Sequence, residues 1–175
     1  GGRTPEPFSV ASHSVLVEHL CPPDLRPWAI LHDAHEAFLG DIVEPSVWMI
    51  ERSAQEPDDI APSIARAKGV IDRAIGSAWG LPVRSMSQPL RLADRIALEA
   101  EAFIFLGKHP ASNLEPEGGS LLDSAIEMVR ELPQGGDWRR ARDLWLSRVE
   151  HYASLGRMSP PRATGPAGMV PAGQP

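Results

Sequence analysis

Cysteine is nearly absent from this chain of 175 residues: Cys21 stands alone, so no internal disulfide can staple the fold. A reducing, cytoplasmic setting is the expectation that follows. No apolar run reaches the roughly 18 residues of a membrane helix, and no leader pattern is present, which excludes a membrane partner. Positive charge is also short, with 17 Lys and Arg against 23 Asp and Glu and a net charge of -6. Phosphate-led binding to a nucleic-acid polymer needs a broad basic face, so no polymer partner is expected and a local basic pocket is all that this balance allows. No segment alternates apolar and polar residues convincingly enough for a strand. The chain opens at Gly1 without methionine, which suggests further residues upstream.

What is present is an ordinary globular composition, 42% hydrophobic and 23% charged, in a length suited to one domain with its own core. The apolar spacing is helical. Ser12 to Leu20 reads as a short helix, and Asp24, after Pro22 and Pro23, caps a second that runs to Leu39 before Gly40. Ser63 to Trp79 carries Ile64, Ala67, Val70, Ile71, Ala74 and Ile75 at helical intervals. Pro89 starts a helix over Leu90 to Leu106, and Ser120 to Leu132 and Asp137 to Leu155 complete an all-α, compact helical bundle. Glu56 to Pro62 and Pro110 to Gly119 read as loops. Residues 1–155 form the domain, and 156–175, rich in Pro, Gly and Ala, a flexible or surface-hugging tail. Leu121 to Val129 and Leu144 to Tyr152 fit a homo-oligomer surface or a monomer core equally.

Chemistry concentrates around the dipeptide His32-Asp33. In the predicted helix, Leu25, Ala29, His32, Asp33 and Glu36 share one face, which turns these polar groups inward. His13 lies in the first turn of the preceding helix, and Asp94 on the inner stripe of the Leu90 helix. One such histidine alone is most simply a buried, hydrogen-bonded residue. Four polar side chains on apolar stripes are costly unless something pairs them. Two imidazoles and two carboxylates suit one divalent transition metal of the zinc, cobalt or manganese class, and they leave positions open on a six-coordinate ion. Glu36, one turn after Asp33, is placed to take a proton from an attacking water or to align it.

The segments Ala11-Ser12-His13-Ser14, His32-Asp33-Ala34-His35-Glu36 through Gly40-Asp41-Ile42, and Ala93-Asp94 together resemble the HD-domain phosphohydrolases. Their small branch of bacterial 5'-deoxynucleotidases and phage deoxynucleotide triphosphohydrolases is the nearest in pattern, over roughly residues 8 to 106. The resemblance implies metal ligands at His13, His32, Asp33 and Asp94, a catalytic carboxylate at Glu36 and a substrate-positioning one at Asp41. It implies a phosphate-binding arginine near the N-terminus, for which Arg3 is the available residue. The expected function is a dNTP triphosphohydrolase, dATP being one substrate, that releases deoxynucleoside and triphosphate. Magnesium would accompany the substrate phosphates, and the host would be a bacterium or a phage-infected cell. A 5'-deoxynucleotidase acting on dNMPs and a non-catalytic nucleotide- or metal-binding module are the alternatives.

Around this nucleus, Trp48 follows the Gly40-Asp41 loop closely enough to stack on a base, and Lys68, Arg66 and Arg95 are cations that could balance phosphate. Exposed helix faces carry such cations routinely. Asp41 serves equally as a turn cap. His35 points away from Asp33 as a supporting or surface residue, while His19, His109 and His151 have no partner at ligand spacing. The tryptophans other than Trp48 are expected in the core or an interface.

Overall fold

Ser9 begins the first helix. Its hydroxyl oxygen accepts the Ser12 backbone N–H at 3.0 Å, which pairs one of the amides that a helix start leaves unsatisfied. The computed structural model describes residues 8–54, 57–108, 116–134 and 137–161. In chain order it contains α1 (Val10–Leu20), α2 (Arg26–Ala29), α3 (Glu36–Leu39) and α4 (Glu44–Ser53). A 3₁₀ turn (Pro57–Asp59) leads into α5 (Ile60–Trp79), followed by α6 (Gln88–Leu106), α7 (Pro116–Glu131) and α8 (Trp138–Ser154). No strand occurs among the described residues, and the chain is an all-α helical bundle. No described helix is long and apolar enough to cross a membrane.

α1 is the axis of the bundle because it is buried almost all round. Ser12 through Glu18 are shielded, and α2, α6, α7 and α8 pack around them. Leu16, Trp28, Ile30, Ile96 and Val129 fill the space between these helices. Leu122, Ala125 and Val129 of α7 and Val149 and Tyr152 of α8 belong to this core, so the two C-terminal apolar stretches are used within the chain. Beyond α8, Met158 is buried and the Ser159 amide donates to the Trp79 carbonyl at 2.8 Å. The start of the Pro/Gly/Ala-rich segment therefore lies against the body.

The expected helix over Asp24 to Leu39 is not continuous. α2 ends at Ala29, residues 30–35 form successive turns, and α3 starts at Glu36. Two carbonyls are diverted from the helical ladder. Ala29 O accepts His32 Nδ1–H at 2.8 Å, and Ile30 O accepts the indole N–H of Trp145 at 2.8 Å from α8. A continuous helix would give these oxygens to the Asp33 and Ala34 amides. The Ala34 amide donates instead to Leu31 O.

Other boundaries also move. α4 was not anticipated; it occupies the approach to the expected Glu56 to Pro62 loop, most of which is itself a 3₁₀ turn and the first turn of α5. Pro116 already belongs to α7, so the Pro110 to Gly119 loop is shorter than expected. On α5 the inner face is rotated from the expected stripe: Asp72, Ile75 and Gly76 are buried, whereas Ala67, Val70 and Ala74 are exposed. Gly76 is needed there, since a Cβ would meet Leu81 O at 2.8 Å. Trp28 lies in the core and Trp145 is partly covered, but Trp138 is 51% exposed with the Arg139 guanidinium over its ring.

Candidate metal centre

Three elements converge on one point. α1 supplies His13, the turn after α2 supplies His32 and Asp33, and α6 supplies Asp94. His13, His32 and Asp94 each offer a ligand atom within 4.8 Å of the others. Asp33 Oδ2 lies 3.1 Å from His32 Nε2 and 3.6 Å from His13 Nε2, and Asp94 Oδ1 lies 3.2 Å from His13 Nε2 and 3.9 Å from His32 Nε2. His32 and Asp33 both lie in the turns between α2 and α3. All four expected ligands are thus assembled, and the cluster can hold a metal ion.

The tautomers follow from the partners. His32 Nδ1 faces Ala29 O, which can only accept, so Nδ1 carries a proton, and when the ring is neutral its lone pair is on Nε2. That Nε2 is buried and has no hydrogen-bond partner, because the nearby Asp33 oxygen is not aligned for one. His13 Nδ1 faces the Glu101 carboxylate at 2.7 Å, which turns its Nε2 toward Asp94. A carboxylate behind an imidazole fixes the ring and raises its basicity, an arrangement common behind metal-binding histidines.

Charge in the cluster is unbalanced toward the carboxylates. Burial disfavours a charged His13 ring, but hydrogen bonds to Asp94 and Glu101 and the charges of Glu101 and Asp33 outweigh it and hold its pKa well above the usual value. Burial likewise opposes ionisation of Asp33; contact with His32 and the charges of His32, His13 and His35 overcome it and bring the carboxyl down to about 2. The pocket therefore favours positive charge between these groups.

A second group adjoins the first. Asp33, His35 and Glu36 also offer ligand atoms within 4.8 Å of one another. His35 is buried in a supporting position, its Nδ1–H donating to Asp72 Oδ1 of α5 at 3.0 Å, and Asp72 Oδ2 accepts the Ser85 hydroxyl at 2.7 Å. Partial burial, with the neighbouring charges of Asp33 and Asp41, raises the Glu36 carboxyl above its ordinary range. His35 and Lys68 oppose that rise, which places the Lys68 ammonium within electrostatic reach of the group.

The remaining expected residues are distributed as follows. Asp41 lies beyond Gly40, exposed, with its charge felt at Glu36. Trp48 projects from α4 with 57% exposure, and the Arg52 guanidinium covers its ring at 4.7 Å. Arg66 is exposed and donates to the Ser63 hydroxyl, and Arg95 is exposed on α6. His19 and His151 are exposed and apart from the cluster. Arg3 and His109 lie outside the described residues. Glu101, Asp72 and Ser85 were not singled out from the sequence. Glu101 had a usable signal, since it follows Asp94 by two helical turns on the same face of α6.

Comparison with known proteins adds one relative. The chain is 36% identical over 94 residues to Uncharacterized protein YfdR of Escherichia coli (strain K12), a match covering 54% of this chain and 46% of that protein. The chain thus matches less than half the length of this relative. No family model matches the sequence, and no solved structure matches it.

Proposed function

We propose that this chain is a metal-dependent phosphohydrolase of small deoxynucleotides, with His13, His32, Asp33 and Asp94 holding one divalent transition metal. The observation that carries this proposal is His32 Nε2, buried without a hydrogen-bond partner and 3.1 Å from Asp33 Oδ2. Leaving such a group unsatisfied costs about 1–3 kcal/mol, and a cation shared with Asp33, Asp94 and His13 offsets that cost. Zinc, cobalt and manganese fit the mixed nitrogen and oxygen donors.

When bound, such an ion supplies a Lewis acid that lowers the pKa of water and draws charge from a phosphoryl oxygen. Glu36 aligns the attacking water and accepts its proton, a task suited to a carboxyl whose pKa is raised. Lys68, within electrostatic reach of Glu36 and His35, balances phosphate charge, and magnesium brought with a triphosphate would neutralise part of its charge. Asp41 accepts a hydrogen bond from a sugar hydroxyl, and the exposed face of Trp48 offers a surface for a base. Water adds to the α-phosphorus, the bond to the 5'-oxygen breaks, and that oxygen leaves with a proton as the deoxynucleoside. From a dNTP such as dATP the other product is triphosphate; from a dNMP it is phosphate. The preference for a triphosphate comes from the resemblance to the phage-type enzymes.

The test incubates the protein with a panel of dNTPs and dNMPs and Mn²⁺, Co²⁺, Zn²⁺ or Mg²⁺, and separates the products. Metal-dependent release of a deoxynucleoside, abolished in His32→Ala and Asp33→Ala, is the expected result. Triphosphate or phosphate as the co-product distinguishes the two reactions. Metal binding with no turnover of any nucleotide would reduce the chain to a binding module.

A further inference from the structure

Three separate stretches of chain meet around α2. Pro27 and Trp28 of α2, Leu81 and Pro82 of the α5–α6 connection and Arg157 after α8 line a cavity of about 240 Å³, which Asp24 and Arg84 complete. None of these residues belongs to the metal cluster. Arg157 is held in place. Gly156 takes a left-handed conformation (φ 66°) after α8, and the Arg157 amide returns to Tyr152 O at 2.9 Å, a helix-closing pattern that glycine permits. The guanidinium lies over the Tyr152 ring at 5.6 Å and donates to Pro23 O. Most of its N–H donors remain for a ligand. Arg84 is exposed, and its side chain makes no hydrogen bond or ion pair with a described residue.

Arg84 and Arg157 against Asp24 leave the lining one positive charge, beside walls of indole, proline rings and leucine. A few polar groups that orient a mostly apolar body are the usual makeup of a small-molecule site. We propose that this cavity binds a small apolar monocarboxylate, its acid group held by Arg84 and Arg157 and its aromatic or aliphatic body laid against Trp28, Pro27, Leu81 and Pro82. The planar guanidinium fork matches a carboxylate, whereas a phosphate dianion brings a second negative charge toward Asp24. The volume lies below the roughly 300–1,000 Å³ of most ligand sites, so the ligand is about one ring with its acid group. A ligand touching all three stretches ties the segment after α8 to α2 and to the α5–α6 connection.

The test uses the full, isotope-labelled chain and follows the Trp28 indole N–H resonance, identified by its loss in Trp28→Phe, as phenylacetate, phenylacetamide or phenyl phosphate is added. Neither metal nor nucleotide is present, so the result stands apart from the proposed hydrolysis. Phenylacetate should shift the resonance saturably, with a dissociation constant on the order of 1 mM. The neutral isostere phenylacetamide should bind about tenfold more weakly, and phenyl phosphate no more tightly than phenylacetate. Arg84→Gln and Arg157→Gln should each weaken phenylacetate about tenfold with helical circular dichroism unchanged. Asp24→Asn should tighten it. Should Arg157→Gln unfold, the exposed Arg84 variant decides alone. Equal affinity for acid and amide, or phenylacetate binding unchanged by these arginine variants, overturns the site. Tighter binding of phenyl phosphate overturns the monocarboxylate class. No saturation by phenylacetate at ten times the expected constant overturns the site outright.

Discussion

Glu101 Oε1 lies 2.7 Å from His13 Nδ1, a contact between α6 and α1 that fixes which ring nitrogen faces Asp94. Glu101→Gln keeps an acceptor of similar shape but removes the charge that makes the ring a stronger ligand. Affinity for the metal ion should fall about 10- to 100-fold with the fold retained. Isothermal titration with Mn²⁺ after chelator treatment measures it, and an unchanged affinity would show that Glu101 does not orient the ring.

Glu36 separates binding from chemistry. It is not among the four residues assigned to the metal ion, so Glu36→Gln should leave that ion in place while deoxynucleotide hydrolysis drops on the order of 10²- to 10⁴-fold. If turnover instead persists near the wild-type level, the proton is handled elsewhere. Because the raised Glu36 carboxyl is set first by burial and then by Asp33 and Asp41, Asp41→Asn should shift the acidic limb of the activity profile toward lower pH.

The clustering of His13, His32, Asp33 and Asp94 was legible in the sequence because each interrupts an apolar helical pattern, and polar groups in such places need pairing. The path of the chain between Asp24 and Leu39 was not. At its break Ile30 O accepts from Trp145, 115 residues away, and no local spacing reports a carbonyl taken by a distant indole. His35 was left between a supporting and a surface position for a related reason. Its direction was read from an ideal helix, whereas residues 30–35 form turns that carry it toward Asp72. The rotated face of α5 hid Asp72 in turn, since the more continuous apolar row includes the exposed Val70 and Ala74.

Trp145 therefore couples the far helix to the site. Trp145→Phe keeps most of the apolar contact but removes the N–H that holds Ile30 O. The expected loss is about 1 kcal/mol of stability, read as a lower urea midpoint. Affinity for the metal ion should weaken as well, because the turn carrying His32 and Asp33 loses an anchor. Retention of both quantities would mean that the turn holds itself.

Tyr152 and Glu18 join α8 to α1 by a buried hydrogen bond in which the phenol donates to Oε1. Glu18 is 1% exposed, and Arg148 lies 3.7 Å from its other oxygen. Burial, then the Glu18 hydrogen bond and charge, pushes the Tyr152 phenol well above its ordinary pKa of about 10. The folded chain thus keeps this proton at pH values where the unfolded chain releases it. Stability from the pair is complete below about pH 10 and is lost as pH rises toward the raised value. Tyr152 is the chain's single tyrosine, so phenolate absorbance near 295 nm reports it alone. Absorbance should rise above pH 10 together with the loss of helical circular dichroism. Tyr152→Phe should remove that coupling and cost about 1–3 kcal/mol at neutral pH, since Glu18 Oε1 would remain buried without its donor. A phenolate midpoint near 10 in a chain that stays helical would contradict the buried pairing of α1 with α8.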